Sequence, residues 1–285
     1  MFALVREIKI SQYSDPKTVV GLLKAFRYDV TLQLKKLTVG DGALHDINPG
    51  LVSRALLKLK DCSIHEAQPG LVQAILAAIT NSANISLRFL DLDLGEVLQV
   101  APDIVAEAAT KLETFMAWLS SAQVEAVLTR LATSQDSRLR QLVNYNSDTG
   151  NISSLDPEIV AGAFTKLEAV RLDLNWSLSS AQLAAIFSRI RESPVLRLRH
   201  LMLFAHNISH VSPLDLVKAI QRLEKFEFYL GGMTGEQATA ILTMVKKNRL
   251  GKIKIIKIGF IYGVGYVSPS LIQRAKQNSA LTWFG

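Results

Sequence analysis

The chain repeats itself at a nearly fixed interval. A residue followed by proline recurs five times, at steps of 53, 55, 56 and 56 residues, with the prolines at Pro49, Pro102, Pro157, Pro213 and Pro269. Two copies share a longer phrase, since Pro102–Glu113 reads PDIVAEAATKLE and Pro157–Glu168 reads PEIVAGAFTKLE. A period of this length predicts a stacked array in which each unit packs against its neighbours. We therefore expect residues 1–285 to form a single repeat domain.

Composition agrees with such an array and bounds its setting. Hydrophobic residues make up 49% of the chain, which suits a continuous core between stacked units. The one cysteine, Cys62, cannot form an internal disulfide, so we expect a reducing, cytoplasmic compartment. The first ten residues do not have the pattern of a signal peptide, and the uncharged run Ile258–Gln273 is too short to span a bilayer as a helix.

The positive charge of the chain is modest. The formal net charge is +7, and the densest cluster of cations lies between Lys246 and Lys257. A solvated helix end followed by a strand edge accounts for this cluster, whereas a phosphate-binding surface needs several cations on one face. We expect no nucleic-acid partner and no membrane partner.

Short apolar phrases of the form Leu-x-x-Leu-x-Leu occur twice in each period. Side chains alternate between the two faces of a strand, so the fourth and sixth positions, such as Leu90 and Leu92, are predicted to face inward. The third, fifth and seventh positions are predicted to face outward. The strands are predicted to start near Val5, Leu34, Leu59, Leu87, Leu112, Leu139, Leu167, Leu198, Leu223 and Ile253, with a further fragment at Leu281.

Helix start signals lie between these strands. Ser120 is followed three residues later by Gln123, which is the spacing of a capping box. The same spacing recurs at Ser179 and Gln182 and at Thr234 and Gln237. The alternate half-repeats place proline at the first helical position, where its missing N–H group costs no helical hydrogen bond. Each unit is thus predicted to be strand, turn and helix, which gives an α/β fold with parallel strands.

Parallel strands with helical crossovers in units of about 25 to 31 residues resemble leucine-rich repeats. The alternation of two unit types resembles the ribonuclease-inhibitor-like subclass, which is also found in NLR (nucleotide-binding, leucine-rich repeat) innate immune receptors. The resemblance covers nearly the whole chain. It implies a curved solenoid of about ten units, with parallel strands on the concave face and helices on the convex face. Because an eleventh strand would begin at Leu281, we expect the chain to be a segment of a longer protein.

Some positions depart from the family pattern. Asn144 stands where a core aliphatic residue belongs, and the stretch after Tyr145 makes the connection to Leu155 three residues longer than its counterparts. Asn175 and Asn207 can bond the loop backbone after a strand, as the family pattern requires. Glycine replaces this asparagine in other units, at Gly42, Gly95 and Gly231.

No sequence pattern indicates catalysis. Neither a Gly-x-Ser-x-Gly elbow nor a Gly-x-x-x-x-Gly-Lys-Ser/Thr phosphate loop is present. The histidines His200, His206 and His210 fall across one strand and its turn, so a core or loop role is favoured over a metal site. Cys62 occupies an inward position and is predicted to be an inert core thiol. We expect a protein that is not an enzyme, with no cofactor and no metal.

The outward rows carry the strongest functional signal. The resemblance implies that these rows line the concave face, and large aromatic residues there are typical of protein interfaces. The predicted protein-binding residues are Met116, Trp118, Tyr145, Arg171, Asp173, Met202, Phe204 and Tyr229. Three acidic residues, Asp61, Asp91 and Asp93, precede this band. An alternative is that the aromatics pack only against neighbouring strands.

The predicted function is non-catalytic recognition of a protein partner through the concave face, rather than binding of a small molecule. The resemblance implies the sensing region of an intracellular NLR-like receptor. A stand-alone scaffold that inhibits an enzyme, as ribonuclease inhibitor does, is the alternative.

Overall fold

A computed structural model describes most of the chain. The described residues are 6–11, 13–28, 35–40, 44, 47–65, 69–93, 95–145, 152–172, 178–204, 206–259, 267–278 and 280–284. Val5, Leu34, Asp173 and Asn175, for which the sequence makes predictions, lie outside these ranges. The chain divides into two compact units, an N-terminal unit of residues 1–146 and a C-terminal unit of residues 147–285.

The N-terminal unit alternates strands and helices throughout. Its elements in chain order are β1 (Glu7–Ile10), α1 (Pro16–Tyr28), β2 (Lys36–Val39), α2 (Pro49–Leu56), β3 (Asp61–Ile64), α3 (Pro69–Asn81), β4 (Phe89–Leu92), a 3₁₀ helix (Gly95–Gln99), α4 (Pro102–Lys111), β5 (Thr114–Ala117), α5 (Ser121–Thr133) and β6 (Gln141–Asn144). The six strands pair in parallel and in chain order. The helices provide the long connections that parallel pairing requires.

The C-terminal unit follows the same order. Its elements are α6 (Pro157–Lys166), β7 (Ala169–Leu172), α7 (Ser180–Glu192), β8 (His200–Phe204), α8 (Pro213–Ile220), β9 (Lys225–Tyr229), α9 (Gly235–Lys246), β10 (Ile255–Gly259), α10 (Pro269–Lys276) and β11 (Leu281–Phe284). These strands also pair in parallel and in chain order. The predicted α/β fold with parallel strands is confirmed, and the fragment at Leu281 is a complete strand.

The predicted alternation of burial along the strands is confirmed. Leu90 and Leu92 of β4 are fully buried, and so are Phe115 and Ala117 at the same positions of β5. The intervening residue Asp91 is half-exposed. Because the buried positions face the helices, the opposite side of each sheet is its open face.

The predicted capping boxes form in α5, α7 and α9, and each glutamine does more than cap its helix. In α7 the Gln182 side chain accepts a hydrogen bond from the Ser179 backbone N–H at 2.9 Å. Its amide nitrogen donates to the carbonyl oxygens of Ile152 and Leu155, both at 2.7 Å. The equivalent glutamines Gln123 and Gln237 make the same set of bonds. All three side chains are buried, so each helix start is tied to the loop 23 to 30 residues before it.

The loop after β8 carries Asn207, and the loop after β9 carries Gly231. Asn207 accepts a hydrogen bond from the Ser209 backbone N–H at 3.0 Å, as predicted. In the next unit a Cβ atom on Gly231 would lie 2.3 Å from the carbonyl oxygen of His206. No larger residue fits there without displacing this backbone.

Candidate functional site

The open face of the N-terminal unit carries a cluster of five polar and aromatic side chains, which we call the open-face cluster. Its members are His65, Asp91, Asp93, Trp118 and Tyr145. Asp91 is the fifth residue of its repeat phrase, and the other four occupy seventh positions just after their strands. The backbone ladder continues one residue past the strands, since the N–H groups of His65, Asp93 and Tyr145 donate to carbonyls of the preceding strands at 3.0 to 3.2 Å. The sheet itself therefore fixes where these side chains begin.

Asp93 joins an aromatic residue to a histidine. One carboxylate oxygen, Oδ1, accepts a hydrogen bond from Trp118 Nε1 at 2.6 Å. The other, Oδ2, lies 4.0 Å from His65 Nδ1. A hydrogen bond from an indole N–H to a carboxylate is charge-assisted and stronger than a neutral one. The Trp118 ring is thereby held in one orientation while it remains half-exposed.

Asp91 holds Tyr145 in a similar way, from two strands away. The Tyr145 hydroxyl donates to Asp91 Oδ1 at 3.1 Å. Met116 is paired with Asp91 in the sheet register, so the tyrosine side chain extends over the strand that carries Met116. Burial raises the pKa of the Asp91 carboxyl above its usual value, although the Tyr145 hydrogen bond and His65 oppose the shift. Burial also raises the pKa of the Tyr145 hydroxyl, and the adjacent Asp91 charge adds to this effect.

The structure thus brings Trp118 and Tyr145 together with the acidic residues that precede them in sequence. Both aromatic rings have their polar atom bonded to a carboxylate and part of their surface open to solvent. Half-exposed Met116 lies on the strand between Asp91 and Tyr145. The result is a surface with an apolar component and a negative charge, which is suited to binding a cationic and partly apolar group.

The other predicted binding residues lie in the C-terminal unit. Phe204 and Tyr229 are paired in the sheet register at the ends of β8 and β9, and both are half-exposed. Met202 is half-exposed, and its neighbour Arg171 on β7 is exposed. Asp173 lies outside the described residues. The structure therefore places Phe204 beside Tyr229 on one open face, as the sequence predicts.

Glu227 occupies a fifth position, which the sequence predicts to be outward and exposed, but the structure shows it buried. It lies on the open face of β9, but its side chain is only 7% exposed because Lys225 and Lys257 cover it. The two ammonium groups lie 2.8 Å and 3.1 Å from the same carboxylate oxygen, Oε1. Burial alone would raise the pKa of Glu227, but the hydrogen bonds from these lysines outweigh burial and hold it below its usual value. Alternation along a strand predicts the side of the sheet on which a side chain lies, but it does not predict whether neighbouring side chains cover it. The burial of Glu227 was therefore not predictable from the pattern.

The three histidines of the C-terminal unit lie in different environments. His206 is buried, His210 is exposed, and His200 Nε2 lies 3.8 Å from Glu227 Oε2. Burial, followed by the charge of Lys225, lowers the pKa of His200. Within the described ranges, no group of three or more His, Cys, Asp or Glu side chains is arranged to hold a metal ion. Cys62 is fully buried, as predicted, and burial raises the pKa of its thiol.

Sequence reasoning missed the hydrogen bonds that organise the open-face cluster. Asp93 and Trp118 occupy the seventh positions of consecutive units, so their adjacency could have been inferred from the repeat. The bond between Asp91 and Tyr145 skips one unit and had no comparable signal.

Among the described helices, none combines the length and apolar character needed to cross a lipid bilayer. Comparisons with protein-family models and with curated proteins gave no match for this chain.

Proposed function

We propose that the chain is a recognition module of the leucine-rich repeat type, which binds a protein partner through the open face of its sheet and performs no catalysis. The repeat period, the alternation of strand and helix, and the parallel pairing within each unit support this proposal. In this proposal the curved horseshoe of the ribonuclease-inhibitor-like subclass presents its concave face to the partner, as the sensing region of an NLR-like receptor would.

The main support comes from the way Trp118 and Tyr145 are held. Each ring is half-exposed, and each polar atom is bonded to a carboxylate within the open-face cluster. Aromatic residues dominate the energetics of many interfaces because they bury a large area. A ring already fixed by a hydrogen bond loses less conformational entropy on binding, which favours affinity. A purely structural aromatic ladder does not require the two aspartates.

The charge of the cluster indicates the chemistry of the partner. Asp91 and Asp93 supply negative charge beside two aromatic rings. An arginine guanidinium can stack on a tryptophan face while it donates hydrogen bonds to a carboxylate. The proposed partner segment therefore carries an arginine or lysine that enters between these groups.

The test uses the full chain as bait, with quantitative mass spectrometry of captured proteins and a measured Kd for the purified partner. Trp118→Ala and Tyr145→Ala are each expected to weaken binding by about 2 kcal/mol, or roughly 30-fold in Kd. Trp118→Phe keeps an aromatic ring but removes the bond to Asp93, so its effect is expected to be smaller. Thermal melting should show that all three variants remain folded.

Tyr13→Ala is the matched control, because Tyr13 is also in the N-terminal unit, is 88% exposed and does not belong to the open-face cluster. This variant is expected to bind like the wild type. If the two cluster variants retained every partner at wild-type affinity, the open face would not be the binding surface.

A further inference from the structure

A second candidate surface lies on the helices of the C-terminal unit. A groove of about 500 Å³ runs between α8 and α9, with Leu214, Val217, Ala240 and Met244 among the residues that line it. This volume is within the range of known ligand sites. Leu214 is 60% exposed, which is unusual for a large apolar side chain.

The repeat provides an internal reference for this position. Leu214 directly follows the proline that begins α8, and the residues that follow the other four prolines of the 53- to 56-residue repeat are glycine, acidic or serine. They are Gly50, Asp103, Glu158 and Ser270, and all four are exposed. An exposed leucine at a position that is otherwise small or polar is a departure specific to α8.

A second departure removes an ion pair between neighbouring helices. In the N-terminal unit, Glu107 of α4 and Arg130 of α5 form an ion pair at 3.1 Å. At the corresponding positions of α8 and α9 the chain has Lys218 and Met244. The α8 helix is also shorter than α4, with eight residues against ten. The groove therefore lies where the N-terminal unit has an ion pair between its helices.

The groove is positively charged at one end. Lys218, Lys247 and Arg249 are exposed and line it near the C-terminal ends of the two helices, and no carboxylate lines it. In the described part of the chain, no carboxylate oxygen lies within 4 Å of a side-chain nitrogen of these three residues. Cations at helix C-termini are expected from the helix dipole, but the dipole does not explain exposed Leu214.

We propose that this groove docks an acidic amphipathic helix of a partner protein. Apolar side chains on one face of that helix would contact Leu214, Val217 and Ala240, and its glutamates or aspartates would pair with the three cations. The exposed rim favours a segment lying along the groove over a small molecule enclosed in it, because small-molecule sites bury most of their ligand. This surface is distinct from the open-face cluster and does not depend on its function.

The test is selection of a displayed library of random 16-residue peptides on the immobilised full chain. Enriched peptides are expected to carry acidic residues and to have apolar residues at helical spacing. Their binding should weaken at least tenfold in the Leu214→Asp, Lys218→Glu double variant, which gives α8 the residues that α4 has at these positions. Both side chains are exposed, so the variant should fold. Arg54→Glu reverses the charge at the equivalent exposed position of α2, as Lys218→Glu does in α8. This control variant should bind the peptides as the wild type does.

The location of the binding site is checked by the NMR methyl signals of Leu214 and Met244, which should shift when an enriched peptide is added. Dodecanoate serves as a small anionic amphiphile for comparison. The proposal is overturned if no enriched peptide is acidic, if the double variant binds like the wild type, or if dodecanoate shifts these signals and no peptide does.

Discussion

The side-chain oxygen of Asn144 accepts a hydrogen bond from the backbone N–H of Leu119 at 3.0 Å. Asn144 is buried at the last position of β6, where the repeat elsewhere has an apolar residue. Leu119 is fully buried in the short connection between β5 and α5. The asparagine therefore supplies an acceptor to a backbone group that water cannot reach, and β6 keeps its register with β5.

Asn144→Ala is expected to lower the free energy of unfolding by about 1 to 3 kcal/mol, because the substitution removes the buried hydrogen bond to the Leu119 N–H. Alanine is compatible with the strand at this point, since β5 has Ala117 opposite Asn144. Urea denaturation followed by circular dichroism would measure the change. Val143→Ala, at the half-exposed neighbouring position, should cost less. Equal stability of Asn144→Ala and the wild type would contradict the role given to this bond.

Gln182→Ala is expected to lower the free energy of unfolding further than Asn144→Ala does, by about 3 kcal/mol or more. The substitution leaves the Ser179 N–H and the carbonyls of Ile152 and Leu155 without these hydrogen bonds. Hydrogen exchange should show faster opening at the start of α7 and in the loop of residues 152–155. Gln273→Ala removes an exposed glutamine from α10 and serves as the control. A melting temperature of Gln182→Ala equal to that of the control would rule out this role for the buried amide.

Asp91→Asn should leave the protein at least as stable as the wild type at pH 7. Burial raises the pKa of Asp91 in the folded state, so the folded protein binds this proton more tightly than the unfolded chain does. The contribution of Asp91 to stability is therefore present below its ordinary pKa of 3.8 and is lost as pH rises through the raised folded value. Asparagine removes the charge and can still accept the Tyr145 hydrogen bond.

Unfolding free energies of wild type and Asp91→Asn, measured between pH 4 and pH 7, should diverge in favour of the variant as pH rises. A variant that is less stable at pH 7 by an amount that does not change with pH would show that the Asp91 charge stabilises the fold.

Cys62 should react with thiol reagents only when the N-terminal unit opens. Its side chain is fully buried in β3, and burial raises the pKa of the thiol, so little thiolate is present at neutral pH. Labelling should be slow in buffer and fast in denaturant. Ser63→Cys adds a thiol at the adjacent half-exposed position on the open face, and this second thiol should react at once. Rapid labelling of wild-type Cys62 in buffer would contradict its burial.

Local features of the fold were predictable because their determinants are close together in sequence. The capping box of Ser179 and Gln182 depends on a three-residue spacing, and burial of Leu90 and Leu92 depends on alternation along one strand. The second role of Gln182, in binding the carbonyls of Ile152 and Leu155, depends on how two units pack and had no local signal.

The candidate site was predictable in its aromatic residues but not in its organisation. The location of Trp118 and Tyr145 on the open face follows directly from their outward positions in the repeat. Their bonds to Asp93 and Asp91 depend on side-chain conformations across one and two strands. Glu227 shows the same limit, because its burial results from the length and position of Lys225 and Lys257.

The buried glutamines have a consequence for synthesis on the ribosome. The carbonyls of Val97 and Val100 are made 26 and 23 residues before Gln123, whose amide they bind. At about 5 to 20 residues per second, these carbonyls wait roughly 1 to 5 seconds for that partner. Because Gln182 and Gln237 repeat the arrangement, the same interval recurs at three points of synthesis. At each of these points the growing chain exposes an unfinished loop, which a chaperone can bind until the next helix emerges.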